Sequence, residues 1–262
     1  MNRREFLLGT GSLTAATLFG KPVRGLVGQE GLEFAGPGNP TARDYVRNGL
    51  IRMWDGIENV GPGLPHAPDS PSWVDHVTGL VAAVQADAYW SDTALCRDSK
   101  AAGSLSMAQI GDAYSYDYWH FKTVEAVCEI TQGGFVFSDT SYKDSSIYSG
   151  HTYLWASGTS RLALGHYSAK TVLIRKAPAT YAFSQDTVNG EMVTVGASVN
   201  GLEEDVGKFN DYFSGPGIRI GGGASANRAM LGRIYALRFY DRVLGVDELA
   251  HNYEVDKARF GL

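Results

Sequence analysis

The sequence predicts an all-β chain, a two-sheet antiparallel sandwich closed near its end by one short helix. Three observations carry this reading. Short apolar segments alternating with period two recur between Leu50 and Tyr240, and that period marks strands buried on one face. Turn residues separate them, drawn from 32 glycines, while aromatic residues reach 11%, as expected of strands joined by tight turns. After Tyr240 the apolar spacing changes once, to that of a helix.

The elements follow in order. Leu50 to Trp54 is a short apolar run that stops at Asp55-Gly56. In the run from Phe121 to Ile130, Val124, Ala126, Cys128 and Ile130 fall on one face, with Thr123, Glu125 and Glu129 on the other. Val127 interrupts the polar face, as expected where a further layer covers it. Gly133-Gly134 makes a turn before Phe135-Val136-Phe137, and further strands are predicted over 146–148, 152–156, 162–167, 171–175, 180–185, 192–199 and 218–221. Asn189-Gly190 and Asn200-Gly201 are hairpin signals, because both residues tolerate positive φ. Leu231 to Tyr240 is the last long strand. Val246, Leu249, Ala250 and Tyr253 then have helical spacing, with Asp247 and Glu248 in the first turn, where negative charge suits the helix dipole.

The first 28 residues read as an address. Met1-Asn2-Arg3-Arg4-Glu5-Phe6-Leu7-Leu8 opens a charged region followed by a weakly apolar run to Gly20, the layout of an export leader. The Arg-Arg-x-Phe-Leu arrangement resembles a twin-arginine translocation signal. An ordinary secretory leader carrying Arg3-Arg4 reads similarly, and both imply an exported protein: periplasmic, cell-surface or secreted. Residues 29–43, rich in Gly, Pro and Asn, are a linker by composition, so the body runs from 44 to 262. No other apolar run reaches the ~20 residues of a membrane span, so no transmembrane segment is expected in the mature chain. Net charge is −5 and the body has no Lys/Arg cluster, which excludes a nucleic-acid partner as an expectation. Cys96 and Cys128 allow one disulfide or two buried thiols, and the apolar strand around Cys128 favours the thiol.

Two stretches carry a family resemblance. The first is Asp44-Tyr45-Val46-Arg47-Asn48-Gly49-Leu50-Ile51-Arg52-Met53-Trp54-Asp55-Gly56 with Trp73-Val74-Asp75-His76-Val77-Thr78-Gly79. The second holds Tyr235, Arg238, Tyr240, Arg242 and Leu244, then Asp247-Glu248-Leu249 and Asn252-Tyr253. Together they resemble the opening and closing segments of bacterial laminin-G-like, concanavalin A-like domains. The resemblance implies a two-sheet jelly roll used for binding or adhesion, often sugar-directed. It also implies a Ser or Thr at the helix start where this chain has Gly245, so a looser start is expected there.

Function is expected to be binding of a glycan or a cell-surface protein without catalysis. The alternatives are a glycoside hydrolase or lyase on the same scaffold, and a structural or adhesive envelope protein. Glu125 and Glu129, four residues apart on one strand, lie about 13 Å apart, beyond the ~5–5.5 Å of retaining and ~6.5–9.5 Å of inverting hydrolases. A solvated strand face is therefore expected for them. Candidate ligand-stacking residues are Tyr114, Tyr116 and Tyr118, whose alternation puts them on one strand face, and Tyr153 with Trp155. Ca²⁺ is a candidate ion, since domains of this group often carry one on a loop. The acids placed to hold it are Asp55, Asp75, Asp139 and Asp144.

Overall fold

The computed structural model describes residues 39–64, 66–101, 104–110, 121–139, 153–164, 171–188, 191–204, 218–223 and 228–262. In chain order the strands are β1 (Leu50–Asp55), β2 (Ser72–Val74), β3 (Val81–Val84), β4 (Tyr89–Trp90), β5 (Leu95–Arg97), β6 (Ala108–Gln109), β7 (Thr123–Gln132) and β8 (Phe135–Asp139). They continue as β9 (Tyr153–Ser157), β10 (Arg161–Leu164), β11 (Val172–Leu173), β12 (Ala179–Val188), β13 (Glu191–Val199), β14 (Leu202–Glu204), β15 (Ile218–Ile220) and β16 (Leu231–Tyr240). One helix, α1 (Val246–Phe260), follows.

Among the described residues these strands form two eight-stranded antiparallel sheets. Sheet A runs β14-β13-β12-β7-β16-β5-β4, and β1 also pairs with β16; sheet B runs β11-β10-β9-β8-β15-β6-β3-β2. The protein is an all-β two-sheet sandwich with one C-terminal helix. β16 holds sheet A together: its Gly232–Ile234 half pairs with β5 and its Ala236–Tyr240 half with β1. Its register against β7 shifts at Leu231/Gly232. Gly232 sits there at φ 133°, where a Cβ would run into the Glu129 carbonyl. A glycine at a bulge of this kind is required by both conformation and space.

The alternating faces expected of β7 are borne out on the inner side. Val124, Ala126, Cys128 and Ile130 join Trp54, Trp73, Phe137, Leu154, Tyr181, Leu237 and Phe239 in the core between the sheets. Arg97 pins the sandwich edge. From β5 it donates to Asp87, to Ser104, and to the carbonyls of Ser106 and Gly221, which flank β6 and β15 of the other sheet.

The outer side of sheet A differs from its expectation. Glu125 is not solvated; it is 1% exposed, because α1 and the segment before β1 lie over it. Val127 is covered too, packed with Ala236, Tyr235 and Phe260, as its break in the polar pattern implied. The buried stripe of α1 is Glu248, Leu249, Asn252, Val255, Asp256 and Phe260. That stripe is rotated from the apolar one read in sequence: Val246 is 50% exposed. The helix docks onto buried charge as well as apolar surface, which an apolar periodicity cannot register.

Its start is not loose either. Glu248 accepts from the Gly245 N–H at 3.0 Å and takes both arms of Arg242 at 2.7 and 2.6 Å, so the Glu half of a capping box fixes the helix start although Gly245 has no side chain to cap it. Packing also begins inside the linker range, with Ala42 buried and its N–H donated to Glu58. The predicted strand at 146–148 lies outside the described residues. No helix among the described residues is long and apolar enough to cross a membrane.

Both cysteines are buried free thiols. They lie beside successive β16 residues, Cys96 opposite Arg233 and Cys128 opposite Ile234. Successive strand residues face opposite ways. Cys96 therefore faces the helix layer and Cys128 the sandwich core, and burial raises the Cys128 thiol pKa.

Candidate functional site

A sandwich offers a ligand its two outer faces and its loop ends. The outer face of sheet A is filled at its centre by Arg238, which is fully buried. Its Nε donates to Glu125 at 2.8 Å, and its two terminal nitrogens hold both oxygens of Asp256 at 2.7 Å. Tyr45 and Thr180 complete Asp256 through their hydroxyls. Asn252 donates to Glu125 and to the Tyr240 hydroxyl. The Tyr45 ring lies 4.1 Å below the guanidinium carbon, close enough for a cation–π contact. Burial works against the charge of Arg238, but Asp256 and Glu125 outweigh it and raise its pKa well above the ordinary range. Glu125 is pushed up by burial, which Arg238 only partly offsets and Asp256 reinforces. This is a closed structural joint. Glu129, the second acid of β7, is paired with Arg233 at 2.6 Å.

Two of the metal candidates prove to be built into the frame. Asp55 is buried; both of its oxygens accept from Arg259 Nη2 at 2.7 Å, and Oδ1 also takes the N–H groups of Ile57 and Glu58. Asp75 takes the N–H groups of Met53 and Val77 and the Thr78 hydroxyl, with Arg52 at 3.5 Å. With their oxygens turned to protein donors, neither carboxylate fits a Ca²⁺ cage. Among the described residues no three His, Cys, Asp or Glu side chains are grouped to hold a metal. Asp139 ends β8 opposite Ile218, and its side chain is outside the described set, as is the whole of Asp144.

The outer face of sheet B has a different character. Residues in register across six strands form one row: Tyr153, Ser138, Arg219, Gln109, Ala83 and Ser72. The chain neighbours Phe137, Ile218, Ile220, Ala108, Ala82 and Trp73 are all in the core, which turns Ser138, Arg219, Gln109, Ala83 and Ser72 outward. At about 4.8 Å between strands the row spans about 24 Å. Arg219 and Gln109 are half-buried at its middle. The Ser138 hydroxyl is buried and donates to Gly222 O at 2.9 Å. In the adjacent row Trp155 lies between Phe135 and Ala163, and it is partly exposed. Phe135 is buried, with the Arg228 guanidinium 5.9 Å from its ring centre. Of the sequence candidates, Tyr153 and Trp155 lie in β9 of this sheet; Arg219 and Gln109 were not among them, Gln109 because its strand has two residues and Arg219 because its predicted strand carried no aromatic side chain. Tyr114, Tyr116 and Tyr118 lie outside the described residues.

A cavity of about 380 Å³ opens elsewhere, at the loop end, between the segment before β1 and the β1–β2 connection. It is lined by Thr41, Arg43, Ile57, Glu58, Leu64 and His66, with Gly63 at its rim.

No family model matches the sequence, and no curated protein matches it. Among solved structures the chain is similar to Trypanosoma rangeli sialidase in complex with sialic acid, with TM-score 0.51 and 12% identity over 80% of this chain and 33% of the sialidase. A mutant of that sialidase displaying trans-sialidase activity gives TM-score 0.52 and 13% identity over the same shares. The Ruminococcus gnavus IT-sialidase CBM40 bound to alpha2,3 sialyllactose is a looser match, with TM-score 0.38 and 14% identity over 51% of this chain and 83% of the module. The chain spans about a third of the length of the T. rangeli sialidases. At these identities the likeness to them is one of fold, a two-sheet β-sandwich.

Proposed function

We propose that this protein is a non-catalytic carbohydrate-binding module, exported from the cell, that takes its glycan on the outer face of sheet B. The row from Tyr153 to Ser72 carries this reading. At its middle it presents the half-buried Arg219 and Gln109 side chains on neighbouring strands, with Trp155 in the next row as an apolar platform for a sugar ring. The opposite face supports the choice, because α1 and the Arg238 joint occupy it. The sialidase that the sandwich resembles was solved with sialic acid; sialylated glycans are therefore the first to try, on a scaffold likeness alone.

The test is a glycan array followed by calorimetry on any hit. Trp155→Ala and Gln109→Ala should each weaken binding at least tenfold, about 1.4 kcal/mol, with an unchanged circular dichroism spectrum. A folded protein that binds nothing on the array, or a hit that both variants leave intact, refutes the proposal. Export is tested separately by fractionating cells that express the chain with Arg3→Lys and Arg4→Lys together. Retention in the cytoplasm supports the twin-arginine route, and continued export points to an ordinary secretory leader.

A further inference from the structure

Cys96 and Cys128 stand on either side of one strand. β5 and β7 both pair with β16, which puts Cys96 opposite Arg233 and Cys128 opposite Ile234. Two inter-strand spacings therefore separate their backbones, about 10 Å, and their side chains leave the sheet on opposite faces. A disulfide needs Cα atoms closer than about 7 Å with the Cβ atoms turned toward each other. The fold cannot hold that bond between these two residues without losing β16 from sheet A. With β16 would go its pairing to β1, β5 and β7, and Arg238 with its buried partners.

The folded chain is protected from the bond as well. Cys96 is 0% and Cys128 1% exposed. Burial raises the Cys128 thiol pKa, so that thiol keeps its proton, and the thiolate is the form that attacks a disulfide. An unfolded chain has neither protection. Roughly 30 residues lie between the two cysteines, a loop whose closure costs little more than that of a short one. β16 comes later still, roughly a hundred residues beyond Cys128. A chain emerging from its N-terminus at about 5–20 residues per second therefore exposes both thiols for about 5–20 s before β16 arrives. Disulfides form in seconds to hours.

We infer that this protein must fold with both thiols reduced, because a Cys96–Cys128 disulfide made in the unfolded chain excludes β16 and locks the chain out of its fold. The oxidant is a small-molecule disulfide. The Cys96 thiolate attacks it and releases one thiol; the Cys128 thiolate then displaces the second and leaves the protein bridge. Two protein thiols lose two electrons and two protons, and the oxidant gains them as two thiols. Combined with the proposed export, on which this second step rests, the body must be folded before it meets an oxidising compartment. The leader then serves a route that carries folded chains.

The full chain is unfolded in urea with either dithiothreitol or oxidised glutathione, and mass spectrometry identifies the internally bridged form by its loss of two hydrogens. Diluted from urea, the reduced chain should regain its near-ultraviolet circular dichroism and a cooperative urea transition. The bridged chain should regain neither until dithiothreitol is added. Native protein held in oxidised glutathione without urea should keep both thiols free. A bridged chain that refolds like the reduced one overturns the inference. So does an unfolded chain that forms no bridge, a native protein that forms one, or a reduced chain that refolds no better than the bridged one. In cells, alkylation of the exported full chain should find both thiols free, and an exported, folded protein carrying the bridge overturns the inference. A chain that stays in the cytoplasm refutes the export reading alone and leaves the refolding result standing.

Discussion

Arg238 interrupts β16, a strand otherwise apolar from Ile234 to Tyr240, and a charge inside such a run must find buried partners. The partners come from other elements: Glu125 on β7, Asp256 on α1 and the Tyr45 ring before β1, with Asn252 of α1 donating to Glu125 in turn. This is why the joint was only half legible in the sequence. Arg238 is visible as an anomaly, whereas period-two alternation assigns Glu125 to solvent with equal logic. Removing one member of a buried ion group leaves the others uncompensated, a loss of about 3–5 kcal/mol. Arg238→Ala should therefore lower stability by that order in urea unfolding, or abolish folding. Trp155→Ala, on a partly exposed face, should cost far less. Equal losses in the two variants would contradict the role given to the joint.

At the scale of elements, the segments read well were those long enough to show a period or marked by turn chemistry. Asn200-Gly201 closes the β13–β14 hairpin with φ 55° and 73°, and Val199 pairs with Leu202 across it, the two-residue loop that Asn-Gly favours. Strands β2 to β6 have two to four residues each, too few to display alternation; several were invisible for that reason, and with them Arg219's neighbour Gln109. The hairpin makes its own prediction. A Cβ on Gly201 would stand 3.0 Å from Ala250 Cα and 3.2 Å from Tyr253 Cβ, in a conformation unfavourable by about 1–2 kcal/mol for an L-residue. Gly201→Ala should destabilise by at least that amount. Asn200→Gly should cost less, losing chiefly the 3.0 Å acceptor for the Thr180 N–H. Denaturant midpoints give the order, and a more stable Gly201→Ala would mean the turn is made otherwise.

For the whole molecule, the buried charges set how stability varies with pH. Glu125 is the acid in excess: the joint has two carboxylates to one guanidinium, and Glu125 Oε1 has no hydrogen-bond partner among the described residues. Arg238 faces it from its own sheet, Asp256 and Asn252 from the helix, and Tyr45 from the segment before β1. Its pKa is raised in the folded state, chiefly by burial, so the folded protein holds that proton more tightly than the unfolded chain. Stability from this group is full below the ordinary carboxylate pKa and is lost as pH rises through the raised value. Glu58 and Asp87 act in the opposite sense. Burial opposes their ionisation, but hydrogen bonds and nearby arginines lower their pKa values, and the stability they give is lost as pH falls through those lowered values. The melting temperature should therefore decline on both sides of a maximum lying on the acid side of neutrality. Glu125→Gln keeps an oxygen acceptor for Asn252 and Arg238 while removing the excess charge. That variant should flatten the decline above the maximum and leave the acid limb in place. Parallel wild-type and variant curves across that range would show that Glu125 carries no proton of consequence to folding.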